Sequence, residues 1–227
     1  MLIDQVEGEE GSEAWDELWD RLCLHGETVF PASLAALPRL VKLARKSPQA
    51  LDLAGAIVRG TRQEHDGDAR LADCADTVAE LRTLLDRNLQ SQPADYLRIF
   101  RDLLAAEGQG LWSAALGDFT DDFYHLPCPN CTIAVTVAVG EYGRYSAVRD
   151  WDLGDVDRRP LRPALATDLS DTGRWIYEKA IRDGQDDLAD GITYLFGQAE
   201  CPRCTRVFTV ADAYATANLT TSRPQGQ

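Results

Sequence analysis

Two short runs, Cys128-Pro129-Asn130-Cys131 and Cys201-Pro202-Arg203-Cys204, constrain this chain more than any other part of it. Each puts two thiols on one tight turn, with the spacing that lets both sulfurs face a single ion. Proline after the first cysteine pre-sets the turn backbone. A β-prone run follows each: Ile133, Val135, Val137 and Val139 alternate with smaller residues after the first, and Arg206 to Val210 follow the second. The two runs read as halves of one tetrahedral Zn²⁺ site with ligands Cys128, Cys131, Cys201 and Cys204. Four thiolates leave no coordination position for water or substrate, so the expected role of the metal is structural. The competing reading, a pair of reactive dithiols, lacks the directly following helix that would lower a thiol pKa.

The cellular context expected from the sequence agrees with thiolate ligands. No apolar run approaches the roughly 20 residues needed to span a bilayer. The opening Met1 to Glu7 has no basic stretch followed by an apolar one, so a cytoplasmic location is expected, where cysteines stay reduced or bind metal. Cys23 and Cys74 fall on apolar helical faces and read as small buried side chains.

Before the first knuckle the pattern is helical. Residues 1–11 are acidic and read as frayed. Trp15, Leu18, Trp19 and Leu22 then recur on one helical face, in a helix closed by Gly26. A second helix opens near Pro31 and carries Leu34, Leu37, Leu40 and Val41, with Pro38 expected to kink it. Ser47-Pro48 caps a third, ending at Gly60. Residues 61–69 read as a polar loop. A long helix bearing Leu71, Cys74, Val78, Leu81 and Leu85 follows, then another from Gln92-Pro93 to Gly108, and a short one over residues 111–122. The helices pair into hairpins spaced by 39 and 45 residues, near the roughly 40–47 of HEAT or armadillo units.

The run from Trp15 to Phe30 (WDELWDRLCLHGETVF), followed by Pro31-Ala32-Ser33-Leu34-Ala35-Ala36-Leu37-Pro38-Arg39-Leu40, resembles the opening of HEAT-repeat-like bacterial proteins. Some of these resemble immunity proteins of polymorphic toxin systems. The resemblance implies an α-solenoid that binds protein, with Pro38 in the kinked first helix of a repeat.

From Phe123 the texture changes to a zinc-ribbon-like module. Phe123 to Leu126 lead into the first knuckle, and Arg144 to Val148 read as a returning strand. The 69 residues between the knuckles exceed the ~12–20 of a compact ribbon and read as an insertion over about 150–192. Within it are expected a charged loop from Asp150 to Pro163, a helix carrying Trp175, Ile176, Ala180 and Ile181, and a strand Tyr194-Leu195-Phe196. A helix from Ala211 to Ala217 ends the module. The expected organisation is a HEAT-like α-helical domain over 1–122, the zinc-ribbon-like module over 123–217 and a flexible tail over 218–227.

Other polar residues group less well. His25, His65 and His125 have no metalloprotease-type spacing, and His125 is placed to hydrogen-bond near the metal. Glu64, Asp66 and Asp68 resemble half a calcium loop without its closing glutamate. Arg158, Arg159 and Arg162 form one basic cluster, but Asp150, Asp152, Asp155 and Asp157 flank it and are expected to neutralise it. No convergent acid, base and nucleophile set is visible, and no phosphate loop. The chain therefore reads as no enzyme, with no catalytic or cofactor-binding residue assigned.

Charge points to the partner. The formal net charge is −14, with 23 acidic and 12 basic side chains over residues 1–122 and 14 and 11 over 123–227. That field repels phosphate backbones and attracts basic surfaces. The sequence therefore predicts a protein-binding module with a basic partner, an immunity protein against a basic toxin being the most concrete form. A nucleic-acid-associated or regulatory zinc-ribbon protein is the alternative.

Overall fold

The computed structural model describes residues 12–24, 28–120, 123–140 and 142–221. The expectations for residues 1–11, His25, Gly26 and 222–227 lie outside them. The chain divides into two compact units, residues 1–116 and 117–227, a few residues earlier than the 122/123 division read from texture.

In the first unit α1 (Ser12–Leu22) turns Trp15, Leu18 and Leu22 inward. A short antiparallel pair, β1 (Cys23–Leu24) and β2 (Thr28–Val29), leads into α2 (Pro31–Ala44), which continues across Pro38. Ser33 ties the start of α2 back to α1, its hydroxyl donating to the Leu22 carbonyl at 2.5 Å. Next comes α3 (Pro48–Gln63), capped by the Ser47 hydroxyl, which accepts the Ala50 N–H. Its sequence is apolar or small on nearly every side, and apart from half-buried Asp52 it is buried from Ala50 to Thr61. Such a helix must be covered all round. Here α2, α5 (Ala75–Leu89) and α6 (Tyr96–Ala106) pack against it. The helices close on one another through Leu37, Leu40, Leu53, Ile57, Leu81, Leu85, Phe100 and Leu103, all fully buried.

Three expectations change in this unit. The segment read as a polar loop over 61–69 is largely helical: α3 extends to Gln63, and α4 (Gly67–Ala72) begins four residues later. Its polarity served ion pairing, because Arg62 meets Asp68 at 2.6 Å and Arg70 meets Glu64. The long helix is broken at Cys74, which sits half-buried at the α4–α5 junction rather than on an apolar face. The sixth helix starts at Tyr96, past Gln92 in a left-handed conformation (φ 52°). The division between units falls within α7 (Gly110–Thr120).

The second unit is built on a four-stranded antiparallel meander of β3 (Phe123–Pro127), β4 (Ala134–Ala138), β5 (Tyr145–Asp150) and β6 (Gly154–Pro160). Strand β6 occupies part of the expected charged loop. Its charged residues suit an edge strand, and pairing needs only backbone groups: Arg149 faces Asp155 and Asp150 faces Gly154. A register shift between Ser146 and Val148 and a left-handed Asp157 (φ 51°) accommodate the irregularity. A helical hairpin follows, α8 (Asp171–Arg182) and α9 (Asp186–Leu195), and it buries Ile176, Ala180, Ile192 and Leu195. Ile181, expected on the inner stripe, is 47% exposed. Tyr194 and Leu195 close α9 instead of forming a strand; the strand is β7 (Gln198–Glu200), beyond Gly197. It pairs with β8 (Val207–Thr209), and α10 (Val210–Thr221) closes the unit against β3. Residues 218–221, read as tail, are therefore helical.

Candidate metal centre

Both Cys-Pro-Xaa-Cys runs sit at hairpin ends. The first joins β3 to β4, whose last pair is Pro127 with Ala134; the second joins β7 to β8, whose last pair is Glu200 with Val207. Their backbones follow the same scheme. The Thr132 N–H donates to the Cys128 carbonyl at 2.9 Å, and the Thr205 N–H donates to the Cys201 carbonyl at 2.9 Å. Cys128 N–H then donates to the Ile133 carbonyl and Cys201 N–H to the Arg206 carbonyl, at 2.8 and 2.9 Å. Each loop thus closes one helical turn and then rejoins its ladder.

That closure requires left-handed backbone at the residue after the second cysteine, and φ is 60° at Thr132 and 58° at Thr205. A β-branched residue is poorly suited to this region, which costs roughly 1–2 kcal/mol per residue. The hydroxyls of Thr132 and Thr205 each donate to the preceding carbonyl at 2.7 Å, a local bond that offsets part of the cost.

The two hairpins bring the four sulfurs together. All four lie within 4.8 Å of one another. The short approaches run between knuckles, Cys128 to Cys204 at 3.7 Å and Cys131 to Cys201 at 3.8 Å. Cys128 and Cys201 are buried, whereas Cys131 and Cys204 are half-buried, so each knuckle supplies one inner and one outer sulfur. A regular tetrahedron with a centre-to-vertex distance of about 2.3 Å has an edge of about 3.8 Å. The short edges match that figure, and the set is compatible with one thiolate-bound metal ion.

Backbone dipoles favour negative sulfur. The Ile133 N–H points at Cys131, the Arg206 N–H at Cys204, and the Arg203 and Cys204 N–H groups at Cys201. Cys204 is pulled down to about 6, first by the Arg206 N–H and then by the Asn130 side-chain amide, which donates across the gap at 3.6 Å. Burial pushes Cys201 up to about 12, so in the metal-free site this inner thiol keeps its proton. A bound cation reverses that preference, since a coordinating thiol is deprotonated outright.

The other candidate residues lie elsewhere or are engaged. His125 stands on the exposed side of β3, its Nδ1 3.3 Å from the Thr136 hydroxyl on the neighbouring strand. Glu64 and Asp66 face Arg70, and Asp68 faces Arg62, so arginines rather than a common centre gather the half calcium loop. Arg158 stacks over the Tyr145 ring at 4.3 Å and approaches Asp155 at 3.9 Å, and Arg159 lies 3.9 Å from Glu200. Arg158 and Arg159 thus face acids on β6 and β7, whereas Arg162 is exposed and meets Gln198 through its backbone.

Sequence reasoning missed Asn130 and the paired threonines. A signal for the threonines was present, since both knuckles belong to the longer repeat Cys-Pro-Xaa-Cys-Thr. No helix among the described residues is long and apolar enough to cross a membrane. No protein-family model, curated protein or solved structure matches this chain.

Proposed function

We propose that this chain is a protein-binding module in which a structural Zn²⁺ clasps the second unit and an acidic helical surface receives a basic protein partner. The zinc part rests on the donor set. Four thiolates at tetrahedral spacing suit Zn²⁺ or iron, and the closed shell suits a structural ion. Metal analysis of purified protein separates the two, because a thiolate-bound ferric ion is coloured and Zn²⁺ is not.

The binding part is carried by one observation, the outer face of α1. Glu13, Asp16, Glu17 and Asp20 are exposed there, while Trp15, Leu18 and Leu22 anchor the helix inward. Several bases of the same unit are turned to its own acids: Arg21 meets Glu17 on that same face, Arg45 meets Glu80, Arg59 meets Asp102, Arg82 meets Glu107 and Arg98 meets Asp52. The excess of carboxylates is left to face solvent. Such a field steers a cationic partner into encounter.

With a HEAT-like array as the framework, the most concrete form is an immunity protein that occludes the Lys and Arg side chains with which a toxin grips its own substrate. Affinity purification with mass spectrometry from the native cell should return a basic protein. Its association rate should fall steeply with salt and drop at least tenfold in Glu13→Lys/Asp16→Lys/Asp20→Lys. A salt-insensitive association rate or recovery of acidic partners alone would overturn the reading.

A further inference from the structure

Beside the metal centre a groove of about 480 Å³ runs between the first knuckle, the outer edge of β8 and the start of α10. Its backbone chemistry is unusual. In an antiparallel pair, residues that exchange hydrogen bonds alternate with residues that do not. Cys201 N–H bonds to the Arg206 carbonyl, and Val210 N–H to the Gly197 carbonyl. By alternation Phe208 is the residue bonded to Ala199, whereas Val207 and Thr209 face Glu200 and Gln198 without exchanging bonds. The N–H and C=O of Val207 and the N–H of Thr209 therefore point away from β7, into the groove. Among the described residues β8 has no strand neighbour on that side.

The walls continue the pattern. Pro127 and Pro129 line one side and Ala213 the other, an apolar slot beside an unpaired strand edge. Val207 is 37% exposed there. The charged groups are Arg206 near one end, Asp212 on α10, and the sulfur of Cys128, a metal ligand. Charge at the slot is negative on balance when the four thiolates hold one divalent ion.

We infer that this groove binds an extended, basic peptide segment of another protein, which adds to β8 as a further strand. Val207 supplies a donor and an acceptor to one peptide residue, and Thr209 a donor to the next residue on the same side. The proline walls take alternate apolar side chains, and a Lys or Arg side chain of the peptide reaches Asp212. The site is separate from the α1 surface and stands without it.

The test is panning of a phage-displayed random dodecapeptide library against the metal-loaded full chain. Enriched peptides should be rich in Lys or Arg with alternating apolar residues. A synthetic copy should protect the Val207 and Thr209 amides from hydrogen exchange. Val207→Pro deletes the outward N–H without touching a β7–β8 bond, and should weaken binding at least tenfold at unchanged metal content. Ala213→Arg, which fills the slot from α10 and leaves β8 intact, should do the same and serves if the proline variant fails to fold. Peptides that bind both variants as tightly as the parent, or that protect only amides of residues 12–116, overturn the inference and leave the α1 reading standing. So does a library that enriches nothing over the Ala213→Arg protein.

Discussion

The Cys128 sulfur lies 3.7 Å from that of Cys204, a thiol 76 residues further along the chain. A metal at this centre ties one hairpin to another, and its removal frees two strand pairs at once. Structural zinc contributes on the order of 10 kcal/mol in small domains that fold around it. Purified protein is expected to carry close to one Zn²⁺ per chain, and Cys204→Ser to carry almost none. Chelation should raise amide exchange in β3, β4, β7 and β8. Full protection of those strands after chelation would show that the clasp is dispensable.

The threonines after each knuckle give a second test. Glycine at position 132 or 205 removes the left-handed cost but also the hydroxyl bond, so each of Thr132→Gly and Thr205→Gly should raise thermal stability by up to about 1 kcal/mol. Thr205→Pro forces φ near −65° and deletes the N–H that closes the loop on Cys201, so it should abolish stoichiometric metal. Scanning calorimetry with metal analysis reads both. A glycine variant clearly less stable than the parent would mean that the hydroxyl dominates.

In the helical unit Arg59 Nε donates to Asp102 Oδ1 at 2.7 Å, and both side chains are buried. Burial pushes the Asp102 carboxyl up to about 6 against an ordinary 3.8, partly opposed by Arg59. With the folded pKa raised, its contribution to stability is fully present below about pH 3.8 and is lost as pH rises through about 6. Between pH 7.5 and 5 the parent should therefore gain on the order of 1–2 kcal/mol relative to Asp102→Asn. At neutral pH that variant should be less stable, since it strands the buried guanidinium at a cost of about 3–5 kcal/mol. Arg59→Met/Asp102→Leu should recover most of the loss. Urea unfolding at several pH values decides; parallel curves would discard the assignment.

Gly55 on α3 makes room for that carboxylate. A Cβ there would stand 2.7 Å from Asp102 Oδ2, an oxygen that is buried without a hydrogen-bond partner. Gly55→Ala should cost about 1–3 kcal/mol despite the better helix propensity of alanine. Gly55→Ala in the Asp102→Ala background should cost nothing or stabilise. A double-mutant cycle measures the coupling.

The sequence exposed what repeats and what alternates. The heptad-like spacing of Trp15, Leu18 and Leu22 fixed an inward face, and two Cys-Pro-Xaa-Cys turns with strands around them located the sulfur cluster. It hid what depends on distant partners. Strand β6 looked like a loop because edge pairing through backbone groups leaves no mark on charged side chains such as Arg158 and Arg159. Nothing in the local sequence marks Asp102 as buried and paired, since Arg59 is 43 residues away. Tyr194 and Leu195 are as much at home in a strand as at a helix end. Only the tight passage at Gly197, whose Cβ would meet the Arg162 carbonyl at 2.3 Å, shows where the turn falls.

The division of ligands between hairpins also sets an order in time. On a ribosome adding ~5–20 residues per second, the first two sulfurs emerge roughly 4–14 s before the second pair, given the 69 residues between them. During that interval a nascent chain holds half a coordination sphere and has none of β7, β8 or α10. On the metal reading proposed above, capture in the cell would be a late event that reports arrival of the second knuckle, and a chain stalled within the intervening segment would be one that the metal cannot rescue.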